Sequence, residues 1–250
     1  MAAPGEVNAA AKIIFDGRLG LLAFEFQSVK RCKQDKGECY LCGAPATTRD
    51  HIPPLGLFSE PRPTDLITVP ACCACNNKTK LDDEYFRLMV AAGSNDSPQS
   101  IAILHQRIIP RMRKTPALIV DFMSSIRRVD VHSAGGIYLG QVPEFPFNRS
   151  RIQVVIDKIV RGLFFKNTKH RLATDYVVAD FHYNPPIQAS LQNAITRLPL
   201  FTVGDGSVFS YCFSLSDTAE SESYWFLMFY NDTSLFVTQT NPKPTQGQRF

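Results

Sequence analysis

Three short stretches decide how this chain is read: Cys39-Tyr40-Leu41-Cys42, then Arg49-Asp50-His51-Ile52-Pro53-Pro54, then Pro70-Ala71-Cys72-Cys73-Ala74-Cys75-Asn76-Asn77-Lys78. A C-x-x-C pair sets two thiols on one tight turn. Two such pairs some thirty residues apart supply four soft ligands, enough to close a tetrahedral shell around a structural Zn2+. Spacing selects Cys72 to pair with Cys75 and leaves Cys73 as a free neighbour. Residues 39–80 are rich in Cys, Pro, Gly and Thr and carry only short apolar runs. A segment of that kind buries little surface, so a metal is expected to organise it. In small zinc peptides such a site supplies roughly 10–16 kcal/mol.

Other residues in the segment point to different chemistry. Asp50 places a hard oxygen beside the imidazole of His51, and Asn76 directly follows the last thiol. Carboxylate and amide oxygens suit Mg2+ or Mn2+ and are poor partners for a closed sulfur site. A neutral imidazole can take a proton from water near neutral pH. In this order the segment resembles the HNH, or His-Me finger (ββα-metal), endonucleases, in their four-cysteine zinc subgroup: C-x-x-C, D-H, C-x-x-C-N and a nearby lysine. The words DHIPP, LITVPAC, CNN and DDEYFR, at residues 50–54, 66–72, 75–77 and 82–87, also resemble bacterial proteins of that family.

The resemblance covers about residues 39–80, under a fifth of the chain. It implies His51 as the general base that activates water. It implies Asp50 and Asn76 as ligands of one catalytic Mg2+ or Mn2+, and Cys39, Cys42, Cys72 and Cys75 as ligands of structural zinc. Asp50-His51 would lie on a β-hairpin and Cys75-Asn76 would open the following helix. The implied reaction is hydrolysis of nucleic-acid phosphodiester bonds, of DNA rather than RNA, leaving a 5′ phosphate. The chain departs from the family in two places. Leu55-Gly56-Leu57-Phe58-Ser59-Glu60-Pro61-Arg62-Pro63 stands where many members carry a Gly-Gly turn. Asp65 or Thr68 stands near the family's middle Asn or His, and Asn77 is a second candidate for an orienting or metal role.

The rest of the chain bounds the possibilities. Its 250 residues are 44% hydrophobic and 20% charged, an ordinary globular balance that fits one large domain or two small ones. Seven cysteines, six of them in the first third, form an odd set that argues against a fully paired secreted framework and for a reducing compartment. Glu6, Lys12, Asp16 and Arg18 interrupt any signal-peptide core, and no run approaches 18 apolar residues. The expectation is a cytoplasmic protein without membrane contact. The net charge is +4, but residues 105–171 carry 13 Lys/Arg against 4 Asp/Glu. A basic middle of that kind is a footprint for a polyanion or simply a solvated surface.

Periodicity predicts helices over Leu81–Ala92, 98–126 (divided by Pro110 and Pro116), Ile152–Phe165 and Gln188–Arg197. It predicts strands over Arg127–His132, Ile137–Val142, Asp175–Tyr183, Val208–Leu215, Tyr224–Tyr230 and Ser234–Thr240. Tyr224–Tyr230 is aromatic on both faces, the pattern of a buried central strand. The expected fold is α+β: a zinc-stapled ββα-metal module within residues 1–92 (motif core 39–87), a helical connection at 93–126 and an α+β domain of unassigned role at 127–250. Lys78, Lys80, Arg87, Arg111, Arg113 and Lys114 are candidate contacts to a phosphate backbone, of double-stranded DNA above all. A homodimer or a regulatory protein partner fits the same sequence. Two further readings stay open: a non-catalytic zinc-stabilised module that binds nucleic acid or protein, and a nuclease effector of a bacterial defence or toxin system.

Overall fold

The computed structural model describes residues 37–94, 97–110, 126–133, 135–144, 148–184, 192, 195–216 and 221–243. Two strands, β1 (Thr48–His51) and β2 (Thr68–Ala71), form an antiparallel pair in which His51 faces Thr68, Asp50 faces Val69 and Arg49 faces Pro70. Two helices follow, α1 (Cys73–Lys78) and α2 (Lys80–Gly93). The shorter α3 (Pro98–Ile103) continues as a π turn over Leu104–Ile108. β3 (Arg127–His132) and β4 (Tyr138–Glu144) make a separate hairpin. The long helix α4 (Arg149–Thr168) leads into β5 (Tyr176–Val178), β6 (His182–Tyr183), β7 (Phe201–Val203), β8 (Phe209–Leu215), β9 (Ser223–Phe229) and β10 (Ser234–Pro242). These last strands form one antiparallel sheet in the order β5-β10-β9-β8-β7, with β6 also on β10. The fold class is therefore mixed α+β.

Helix α4 forms because its apolar residues repeat on one face. Ile152, Val155, Ile156, Ile159, Val160, Leu163 and Phe164 are all buried, the i, i+3, i+4 pattern carried through three turns. Asn148 caps its first turn by accepting from the Arg151 N–H, and Lys169 ends it in the left-handed conformation (φ 64°). β9 lies between β8 and β10, and buries Trp225, Phe226, Leu227 and Phe229. Its aromatics stack across the sheet, Phe213 on Trp225 at 4.7 Å between ring centroids. One face of the strand, Ser223, Trp225, Leu227 and Phe229, is fully buried, while on the other Phe226 is covered and Tyr224 stays 56% exposed.

One hydrophobic cluster joins the two ends of the sequence. It contains Tyr40, Ile52, Val69 and Phe86 together with Ile156, Leu163, Phe229 and Phe236. Phe86 of α2 meets Phe229 edge-on at 5.4 Å. The approach is close at Gly162 of α4, where a Cβ would stand 2.5 Å from Cγ1 of Ile52, the residue after His51. Only a glycine lets α4 lie this near the end of β1.

Where expectation and structure differ, local chemistry explains it. The strand expected over Asp175–Tyr183 is interrupted between β5 and β6 at residues 179–181, although the Ala179 N–H still donates to the Gln239 carbonyl of β10 at 2.8 Å. β10 runs two residues past the expected end at Thr240, with Asn241 and Pro242 paired opposite Val177 and Tyr176. β7 is too short, at three residues, to give a periodic signal. Most of Gln188–Arg197, and residues 111–125 of the expected 98–126 helical run, lie outside the described residues. No described helix is long and apolar enough to cross a membrane.

Candidate functional site

The first cysteine pair is shaped by its own turn. The Cys39 N–H donates to the Ala44 carbonyl at 2.7 Å, and the Gly43 N–H donates back to the Cys39 carbonyl at 2.9 Å. Gly43 holds φ 78°, a left-handed value that closes the turn without a Cβ penalty. The second pair sits at the start of α1, where the Cys72 sulfur caps the helix by accepting from the Cys75 N–H at 3.4 Å. The Tyr40 N–H donates to the Pro70 carbonyl at 3.0 Å, tying the first turn to β2.

These contacts bring the sulfurs of Cys39, Cys42, Cys72 and Cys75 within 4.8 Å of one another. Four sulfurs held about 2.3 Å from one zinc ion stand roughly 3.8 Å apart at the corners of a tetrahedron. Cys42 Sγ and Cys72 Sγ are 3.7 Å apart. The donor set fits a structural zinc, in the pairing that spacing selected. Burial raises the Cys39 thiol, but backbone N–H groups at Cys72, Cys42 and Leu41 outweigh it and bring it down to about 7. Burial pushes Cys75 up, and neighbouring thiols add to the rise. Four thiols packed this tightly cannot all ionise without a cation to balance them. Cys73 lies outside the set and is disulfide-bonded rather than a free neighbour.

β1 carries both Asp50 and His51, and strand alternation points them to opposite faces of the hairpin. Asp50 faces inward and is 4% exposed. Its Oδ2 accepts from the Tyr40 hydroxyl at 2.9 Å, and its Oδ1 lies 3.2 Å from the Lys158 ammonium of α4. Lys158 is buried too. It also meets Asp83 Oδ2 at 2.9 Å and Thr79 Oγ1 at 3.3 Å. Burial raises the Asp83 carboxyl and Lys158 opposes that rise, while burial beside Asp50 holds the Tyr40 phenol far above its ordinary value. Lys158 had no signal in the sequence, standing more than a hundred residues from Asp50 within an ordinary helical pattern.

His51 is half-buried. Burial lowers its pKa from 6.5; Asp50 opposes this, while Arg62, Lys158 and Arg49 reinforce it. Arg49 shares its face of β1 and donates from Nε to Thr68 Oγ1 at 2.9 Å. Asn76 lies across the start of the same strand, donating through Nδ2 to Thr48 Oγ1 at 3.3 Å and to the Arg49 carbonyl at 3.2 Å. The residues assigned from the sequence are thus gathered around one hairpin, but Asp50 looks to the opposite side from His51.

Comparison with known protein families, curated proteins and solved structures returns no match.

The remaining candidates divide by position. Lys78 and Lys80 are exposed, whereas Arg87 is half-buried and turns toward the loop at Gly56. Arg111, Arg113 and Lys114 lie outside the described residues. Asp82 and Asp83 occupy the first turn of α2 and also reach α4, Asp82 accepting from Arg151 Nε at 2.7 Å. Asp65, near the family's middle position, is spent on the Gly204 N–H at 2.9 Å, while Thr68 supports Arg49. His105, His132, His170 and His182 are all exposed and away from the cluster.

Proposed function

We propose that the chain is an HNH-type endonuclease that hydrolyses phosphodiester bonds of nucleic acid, DNA before RNA, with His51 as general base. One observation carries this reading: the β1–β2 hairpin bearing His51 is joined to α1, bearing Asn76, through a four-cysteine cluster of zinc dimensions. In the proposed reaction a half-buried, neutral imidazole accepts the proton of an in-line water as it attacks phosphorus, while the bond from phosphorus to the 3′ oxygen breaks and that leaving oxygen takes a proton from solvent. The cationic side chains of Arg49 and Arg62, whose charges are felt at His51, offset the negative charge that gathers on the phosphoryl oxygens. In this reading Lys78 and Lys80, both exposed, contact the phosphate backbone.

The family resemblance also implies a catalytic Mg2+ or Mn2+ held by Asp50 and Asn76. As they stand, the residues do not fit it. Both Asp50 oxygens are engaged inside the protein, and strand alternation turns them from His51. Asn76 uses its Nδ2 on β1, leaving Oδ1 as the donor. No step is therefore routed through a divalent ion.

The test is plasmid cleavage by purified, zinc-loaded protein in Mg2+, Mn2+ or EDTA, beside His51→Ala. Cleavage lost in the variant with zinc retained supports the enzyme. Equal behaviour of the two proteins favours a second reading, a non-catalytic zinc-stabilised module that binds nucleic acid or protein. The engagement of Asp50 by Lys158 and Tyr40 is what recommends that alternative, since it assigns the acid half of the D-H pair to the core.

A further inference from the structure

The group that contradicts a divalent ion at Asp50 is itself a cation. Lys158 Nζ sits 3.2 Å from Asp50 Oδ1, 2.9 Å from Asp83 Oδ2 and 3.3 Å from Thr79 Oγ1, with its side chain 3% exposed. Two carboxylates and a hydroxyl converging on one point are the oxygen set that a hard cation takes. The ammonium donates hydrogen bonds to Asp83 Oδ2 and Thr79 Oγ1 and holds Asp50 Oδ1 at ion-pair distance. Tyr40 occupies the other Asp50 oxygen and keeps the carboxylate turned toward Lys158. The lysine cannot drift away cheaply, because it projects from the buried face of a twenty-residue helix whose neighbouring turns are locked by Ile156, Ile159 and Val160.

We propose that Lys158 is a positioning residue of the His51 site: its ammonium permanently fills the cation position at Asp50, so Asp50 is not a ligand of any divalent ion in the folded protein. The inference rests on the nuclease reading of this hairpin for its meaning, but its test reads metal binding and not cleavage. In this arrangement Asp50 and Lys158 pin the inner face of β1 against α4, and His51 is presented on the outer face by the same strand.

The test measures Mn2+ binding by electron paramagnetic resonance on zinc-loaded full-length protein, with zinc content and thermal unfolding as controls of fold. Wild type, Asp50→Asn, Lys158→Met and the double variant are compared. Asp50→Asn is expected to change the wild-type Mn2+ affinity less than about twofold. Lys158→Met frees the two carboxylates, and is expected to gain a Mn2+ site at least ~10-fold tighter than anything in wild type, lost again in the double variant. A wild-type site abolished by Asp50→Asn in folded protein overturns the proposal, as does a folded Lys158→Met that gains no binding. Should Lys158→Met not fold, the wild-type and Asp50→Asn comparison decides alone. Nuclease activity without Asp50-dependent Mn2+ binding upholds both readings. Absence of activity with the expected Mn2+ pattern sinks the nuclease and leaves the lysine assignment standing.

Discussion

Lys158 of α4 and Asp50 of β1 face each other at 3.2 Å with side chains 3% and 6% exposed, across more than a hundred residues of sequence. Such a pair contributes little over a well-packed apolar one, yet breaking it from one side is strongly destabilising, since it strands a charge in the interior. Lys158→Met is therefore expected to lower unfolding free energy by about 3–5 kcal/mol. Urea unfolding checks this, and a loss under about 1 kcal/mol would show the ammonium to be solvated in solution.

The sulfur cluster makes a second prediction. One zinc per chain should be found by atomic emission. Cys39→Ser or Cys72→Ser should lose it and with it the order of residues 39–80, seen as lost helix and strand signal in circular dichroism. Cys73→Ser should retain the ion, because Cys73 stands outside the four-sulfur set.

His51 ties stability and rate to pH with one sign. Its folded pKa lies below the free value of 6.5, chiefly through burial. Protonation is then harder in the folded state, so its stabilising contribution is complete above pH 6.5 and is lost as pH falls through the lowered folded value. If His51 is the base, the acid limb of a cleavage–pH profile should have its midpoint below 6.5 and a plateau at neutral pH. A midpoint above 6.5 would mean another group is titrating.

Gly162 tests the join between α4 and the hairpin. On helix propensity alone, Gly162→Ala would stabilise by up to about 1 kcal/mol. Here the new Cβ meets Ile52 Cγ1 at 2.5 Å, and Ile52 is fully buried with nowhere to move. Overpacking costs about 1–3 kcal/mol, so the net effect should be a lower Tm. Differential scanning calorimetry checks it, and a raised Tm would show that the hairpin yields.

The local chemistry was open to reading from residues alone wherever neighbours in sequence are neighbours in space. The C-x-x-C spacing named the four sulfurs, because a tight turn fixes both thiols of a pair. The i, i+3, i+4 pattern named helices over Leu81–Ala92 and Ile152–Phe165, which lie within α2 and α4, and the aromatic run Tyr224–Tyr230 announced the central strand β9. The motif also placed Asp50 and His51 side by side, which is true along the chain and misleading across the strand, where alternation sends them apart.

The amino-acid sequence by itself determined a cysteine cluster able to hold zinc, the elements around it and a histidine worth testing as a base. These depend on turn geometry and periodicity, which act over a few residues. Only the tertiary structure decided that Asp50 belongs to Lys158 and Tyr40, that Asp83 joins them, and that Gly162 lets α4 press on Ile52. Those contacts arise when hydrophobic burial brings distant segments into one core, and a buried charge then takes whichever partner that packing delivers.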